Sequence, residues 1–229
     1  LKVLEESGSG SFSDIAIAMN AVITFVGTTN RPSIANLSLG TFPTERSTYV
    51  SADQTGYDNL LNDGCKELVS SGIHTLVAAG NGFYGYNSSG NQYSRGPMLS
   101  TTGTGSLNLT KTESNNFDPG QGDVVVVGAT QTKPGGVSPT SNPTHMASFS
   151  NYGQGNTINT SGNFILGPKW TWTSGTDNNN YSLYNGTSFA CPIVAGLLAL
   201  RLQDKPSEVP SATKQWLIET ARKNKIKNL

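Results

Sequence analysis

The string Asn185-Gly186-Thr187-Ser188-Phe189-Ala190-Cys191-Pro192-Ile193-Val194-Ala195-Gly196 sets a serine at the mouth of an apolar run. Residues from Ile193 to Leu202 are almost wholly apolar, which predicts a helix passing through the core. Gly186 permits a tight entry, and Pro192 suits a first turn, where no intrahelical N–H bond is required. The free N–H groups and positive dipole end of such a start can hold a developing oxyanion. Ser188 is therefore a candidate nucleophile for attack on a carbonyl, against the commoner role of a Ser near a helix start, which is N-capping. Asn81 is the second candidate. It ends the string Thr75-Leu76-Val77-Ala78-Ala79-Gly80-Asn81, where an amide side chain can donate to an oxyanion or simply cap a loop.

These residues need a scaffold, and the chain alternates helix and strand in the manner of an α/β domain with a mostly parallel sheet flanked by helices. Ser11 and Ser13 offer N-caps to a helix carrying Ile15, Met19, Val22 and Val26 at helical spacing. A short strand follows from Ile34 to Ser38. A second helix runs from Tyr57 to Ser70, with Leu60, Leu61, Cys65 and Leu68 on its apolar side and Gly72 as its C-cap. Four consecutive valines, Val124 to Val127, fit a strand buried on both faces. Ser211 to Lys223 is a last amphipathic helix using Ala212, Trp216, Leu217 and Thr220, with Lys and Arg late in it. Two stretches near 82–116 and 153–184 show little periodicity and read as long insertions in a single domain spanning 1–229.

At 229 residues one substantial core is expected. Fifteen basic residues balance fifteen acidic ones without a basic run, which argues against a nucleic-acid or anionic-membrane partner. No apolar stretch approaches the roughly 20 residues that span a bilayer. Charged residues are only 13%, and a polar surface of Gly, Ser, Thr and Asn suits an extracellular or otherwise exposed protein, whether secreted or virion-associated. Cys65 and Cys191 permit one disulfide, but burial as free thiols is the preferred reading. The chain opens without Met inside a strand-like string, Leu1-Lys2-Val3-Leu4, so residue 1 reads as a cut.

The string around Ser188 resembles the nucleophile motif of the subtilisin-like serine proteases, Gly-Thr-Ser-Met-Ala-x-Pro-His-Val-Ala-Gly. Gly186, Thr187, Ser188, Ala190, Pro192, Val194, Ala195 and Gly196 carry the match, while Phe189 stands for Met, Ile193 for a non-catalytic His, and Cys191 for a small hydroxylic residue. Other strings follow in the family's order. Lys2-Val3-Leu4 with Gly8-Ser9-Gly10 resembles the edge strand that pairs with bound peptide. Asn36-Leu37-Ser38-Leu39-Gly40 resembles the opposite cleft wall, and Ala78-Ala79-Gly80-Asn81 the segment ending in the oxyanion-hole Asn. Phe117-Asp118-Pro119, Val125 to Ala129 and Ala147 to Gly153 complete the series. The resemblance implies a subtilisin-like fold lacking its N-terminal strands and helices. It implies catalysis by Ser188 and Asn81, with Gly8, Ser9, Gly10, Ser38, Leu39, Gly40, Ala78, Ala79 and Gly80 as substrate-binding residues. Ala78 to Gly80 would floor the first specificity pocket, with room for a medium or large apolar side chain.

A serine hydroxyl is a weak nucleophile until a base takes its proton. Neither His74, entering a strand, nor His145, before Met146-Ala147, matches the family's His-Gly-Thr helix start, and no Asp follows its Asp-x-Gly pattern. Three arrangements remain open. The acid and base lie on an N-terminal fragment of the same precursor, or the chain is an inactive structural or binding component of a larger assembly such as a viral particle, or His145 acts with Asp118 or Asp177. Retention of Ser188 and Asn81 favours the first, with a companion of roughly 70 to 150 residues. Calcium is a candidate cofactor by resemblance alone, since no dense Asp loop is present and no metal ligand can be assigned. The glycosylation patterns Asn36-Leu37-Ser38 and Asn185-Gly186-Thr187 fall in core or site strings and read as accidental.

Overall fold

A computed structural model describes residues 3–5, 10–29, 31–39, 63–81, 84–86, 92–94, 122–132, 144–147, 149–150, 156–169, 181–223 and 226–227. Its elements run α1 (Phe12–Val26), β1 (Ile34–Leu37), α2 (63–70), β2 (His74–Ala78), β3 (Tyr84–Tyr86), β4 (Gln92–Ser94), β5 (Val125–Thr132), β6 (Thr144–Met146), β7 (Ile158–Ser161), β8 (Ile165–Pro168), β9 (Tyr181–Tyr184), α3 (Thr187–Asp204), α4 (Pro210–Thr220) and β10 (Ile226–Lys227). Six strands form one sheet in the order β1-β2-β5-β6-β10, with β7 also on β5. All its pairings are parallel except β5 with β6. Val127 pairs with Ala78 of β2 and with Ile158 of β7, so those two strands take opposite edges of β5.

The strand period of two divides the interior. Val77, Ala79, Val124 and Val126 face one way, onto Ile15 and Met19 of α1 and Cys65 and Leu68 of α2. Leu76, Ala78, Val125 and Val127 face the other, onto Ala190, Cys191, Val194 and Leu198 of α3 and Leu217 of α4. Because helices cover both faces, β2 and the start of β5 are buried throughout. The result is the expected α/β arrangement, with α1 and α2 on one face of a mostly parallel sheet and α3 and α4 on the other.

Local signals act as their chemistry requires. Ser11 caps α1, its Oγ accepting the Asp14 N–H at 3.1 Å. Gly72 follows α2 with φ +79, a backbone region that L side chains rarely adopt. Cys65 and Cys191 are free and buried, and burial pushes both thiols up to about 12.

Several expectations need correction. The Leu1–Leu4 string is not a strand where it is described: Val3 and Leu4 have no strand pairing, and an extended segment becomes a strand only with a neighbour to satisfy its backbone. Within α1, Val22 is 39% exposed, while Ile15 and Met19 are buried in the core and Val26, as expected, packs against it together with Ile23. On α3, Ala190, Cys191, Val194, Leu198 and Leu202 are buried, whereas Ile193, Leu197 and Leu200 are 44%, 44% and 67% exposed; the helix lies on the sheet instead of passing through a core. Helix α4 ends at Thr220, short of Arg222 and Lys223, because Ala221 turns extended. The 153–184 stretch is not patternless: it supplies β7 to the sheet and both strands of the antiparallel β8–β9 pair. The Tyr57–Ser70 helix is seen from residue 63; Leu60, Leu61 and most of 82–116 lie outside the described residues.

At the N-terminal end of β2, His74 is 2% exposed, with Nδ1 2.9 Å from Thr213 Oγ1 on α4. Arg201 and Glu208 join nearby through two bonds of 2.8 and 2.7 Å, with the guanidinium over the Trp216 ring. Burial lowers the His74 pKa below its ordinary 6.5, outweighing the attraction of Glu208. The neutral ring is therefore the folded form. Its contribution to stability is complete above pH 6.5 and is lost as pH falls from there through the lowered value. The melting temperature should accordingly drop on acidification below about 6.5, and His74→Asn should flatten that part of the curve; an unchanged curve in the variant would refute this.

Candidate active site

Strand β2 ends at Gly80-Asn81, and α3 begins at Thr187; one amide group joins them. Asn81 Oδ1 accepts the Thr187 N–H and the Thr187 hydroxyl, both at 2.8 Å. The same hydroxyl accepts the Gly80 N–H at 3.1 Å. An amide whose oxygen is taken twice has a fixed orientation, and its Nδ2 group keeps both hydrogens for donation. Gly186 is held at φ +155, and a Cβ there would sit 3.2 Å from Asn81 Nδ2 and press on that donor. Ser188 follows directly, in the first turn of α3, where its N–H has no intrahelical carbonyl to meet.

The entry to the helix is also clamped from behind. Gly186 N–H donates to the Gly162 carbonyl at 2.8 Å, and Asn185 Oδ1 accepts the Phe164 N–H at 2.7 Å. Gly162 has no room for a side chain, since a Cβ would lie 2.6 Å from that of Ala129 and 2.8 Å from the Gly186 carbonyl. On the other side of Ser188, the Phe189 ring stacks on Tyr184 with centroids 5.2 Å apart.

Pro192 lies in the second turn of α3 and not in its first, which changes its consequence. An α-helical carbonyl accepts from the residue four ahead, so the Ser188 carbonyl would look to Pro192, which has no N–H. Ser38, at the end of β1, fills the gap: its Oγ donates to the Ser188 carbonyl at 2.9 Å. Asn36 Nδ2 in turn donates to Ser38 Oγ at 2.9 Å.

Among the residues expected to meet substrate, Gly8, Ser9 and Gly40 lie outside the described residues. Gly10 stands against the Val3 carbonyl too closely to carry a Cβ. Parallel pairing of Leu37 with Val77 sets Ser38 and Leu39 alongside Ala78 and Ala79. The methyl groups of Ala78 and Ala79 are 2% and 0% exposed and belong to the two cores, so their side chains do not line an open pocket. His74 is at the far end of β2 from Asn81, and the His145 ring nitrogens are buried without a hydrogen-bond partner among the described residues. Asp118 and Asp177 lie outside them. Among the described residues no three His, Cys, Asp or Glu side chains gather as metal ligands, so calcium has no identified site there.

The geometry thus joins a serine at a helix N-terminus to a preset amide donor. Comparison with known proteins places the arrangement: residues 1–229 match the Subtilase family. The chain belongs to the subtilase family. It is 31% identical over 87% of its length to the subtilisin-like serine protease AsES of Sarocladium strictum, and 28% identical over its full length to an extracellular serine proteinase of a Thermus species. It spans 37% and 41% of the lengths of those two relatives. A crystal structure of a cold-adapted subtilisin-like serine proteinase shares the fold, with a TM-score of 0.60, 24% identity, and coverage of 98% of this chain and 60% of the other.

Two features of this subtilase site have no role assigned by the sequence alone. The motif match gives Thr187 no function of its own, and the resemblance gives Ser38 only a place in the cleft wall. The second was detectable, because Pro192 stands four residues after Ser188 and must orphan its carbonyl. Thr187→Val should keep the fold and lower turnover by about 10-fold with little change in KM, since it loosens a donor needed in the transition state. Asn81→Leu should cost roughly 10²–10³, the loss seen when subtilisin loses its oxyanion Asn. Steady-state kinetics on the full-length protein measures both, and a rise in KM at constant kcat would be the contrary result.

Proposed function

We propose that this chain is the nucleophile-bearing part of a serine endopeptidase. Ser188 Oγ attacks a peptide carbonyl carbon while a base takes its proton. The oxyanion is held by Asn81 Nδ2 and the Ser188 N–H, and collapse returns the proton to the leaving amine and leaves an acyl-enzyme that water hydrolyses. The observation that carries this reading is the double acceptance by Asn81 Oδ1, which turns the amide hydrogens free beside Ser188 in a subtilase.

The acid and base, on this reading, come from an N-terminal part of the same precursor. Three observations support a partner at this place. Strand β1 has β2 on one side and no described strand on the other. Val3 packs on the same core as Ala35 and Leu37 of β1, yet pairs with neither. Ile193, Leu197 and Leu200 present an apolar stripe on the helix that bears Ser188. The substrate is a peptide or protein. The setting is extracellular or otherwise exposed, in keeping with the extracellular Thermus relative, and no helix of the described residues is long and apolar enough to cross a membrane.

A fluorophosphonate probe tests the reading. It should label Ser188 in protein assembled with the segment carrying the acid and base, and fail with Ser188→Ala. The isolated chain should label far more slowly, because the three groups act as a unit. Absence of labelling in the complete assembly would overturn the proposal and promote the structural role.

A further inference from the structure

On an extended chain, residues two apart point the same way. Ile34 of β1 packs with the cluster around α3, while Ala35, Leu37 and Leu39 pack on the opposite core. Asn36 and Ser38 therefore lie on the α3 side of the strand. Pairing of Asn36 with Leu76 and of Leu37 with Val77 holds this backbone in register. Two hydrogen bonds, each 2.9 Å, run from Asn36 Nδ2 to Ser38 Oγ and from Ser38 Oγ to the Ser188 carbonyl. Their direction is not free. A carbonyl can only accept, and an amide nitrogen can only donate. The single hydrogen of the Ser38 hydroxyl must then go to Ser188, and its oxygen must receive Asn36.

We infer that Asn36 is a positioning residue for Ser188: by donating to Ser38 Oγ it directs the Ser38 hydrogen onto the carbonyl that Pro192 leaves without a helical partner. The inference rests on the hydrolytic role proposed for Ser188. Asn36 is exposed, so water can stand in for a missing amide donor, but it cannot correct a donor turned into an acceptor. In Asn36→Asp the carboxylate keeps the shape of the amide, has no hydrogen to give, and accepts more strongly than a carbonyl. The Ser38 hydroxyl then turns to it, and the Ser188 carbonyl loses its donor. The first turn of α3 is no longer tied to the end of β1, and the aim of Ser188 is disturbed. Asn36 is not among the residues expected to meet substrate, so the loss belongs to kcat.

The test compares Asn36→Asp with Asn36→Ala in the full-length protein, each also combined with Ser38→Ala. Asn36→Ala should lower kcat by about threefold or less, because water replaces the donor. Asn36→Asp should lower it by about 10-fold or more at constant KM. With Ser38→Ala already present, both changes should have small and equal effects, since the hydroxyl they act through is gone. A charge acting on Ser188 through space would keep its effect there. A second readout is independent of turnover: the carbonyl-carbon NMR resonance of Ser188, selected by labelling Ser-Phe pairs and assigned by its absence in Ser188→Ala. It should move upfield in Asn36→Asp and in Ser38→Ala alike, as the carbonyl loses its donor. A kcat for Asn36→Asp no lower than that of Asn36→Ala, a loss that persists in Ser38→Ala, or a carbonyl resonance indifferent to Asn36→Asp would each overturn the inference. If the assembled protein hydrolyses nothing while the resonance moves as expected, the relay stands and the hydrolytic reading fails.

Discussion

The acceptor oxygen of Asn81 takes both donors of one residue, Thr187, and this joint fixes the end of β2 to the start of α3. Without it the two would be a loop asparagine and a helix-start serine, each with many ordinary uses. The joint needs Gly80 and Gly186 in backbone regions that disfavour side chains, at φ +99 and +155. It also needs the register that brings the end of β2 beneath the helix, and that register comes from β5. Val125 to Val127 pair with Leu76 to Ala78, and the same strand carries β7, whose following residue Gly162 receives the Gly186 N–H. Sheet, hairpin and helix thus converge on four consecutive residues, Asn185 to Ser188.

The fold was legible because its strongest signals are periodic. The valines of β5 could be buried on both faces only if helices lay above and below, and the two cores show that division. Capping chemistry was equally direct at Ser11 and Gly72. Burial of individual helix faces was less so. Val22, Ile193 and Leu197 satisfy any apolar pattern, yet they point away from the sheet, because a pattern records which residues can be buried and not how much neighbouring structure covers them. The Leu1–Leu4 string illustrates the same limit for strands, which require a partner that propensity does not supply.

At the site, residue types were readable and their bonds were not. Ser188 and Asn81 stood out by position within their strings, but the orientation of an amide depends on what occupies its oxygen. That occupant, Thr187, lies 106 residues away in sequence. Ser38 likewise meets Ser188 across 150 residues. Only the Pro192 arithmetic, a missing N–H four residues after Ser188, announces from the sequence that a side chain from elsewhere must be recruited.

These bonds also explain why one helix can serve two purposes. Along α3, the buried row Ala190, Cys191, Val194, Leu198 and Leu202 holds the helix on the sheet, while Ile193, Leu197 and Leu200 stay outside. A helix held by one face only could rock about its axis and misdirect its first turn. Asn81, Ser38 and the Gly162 carbonyl prevent this by gripping that turn from three separate strands or their extensions, β2, β1 and β7. Orientation of Ser188 is therefore set within this chain, independently of whatever covers the outer face. On the proposed reading a partner settling on Ile193, Leu197 and Leu200 would meet a nucleophile already aimed, and would need to contribute only the acid and the base.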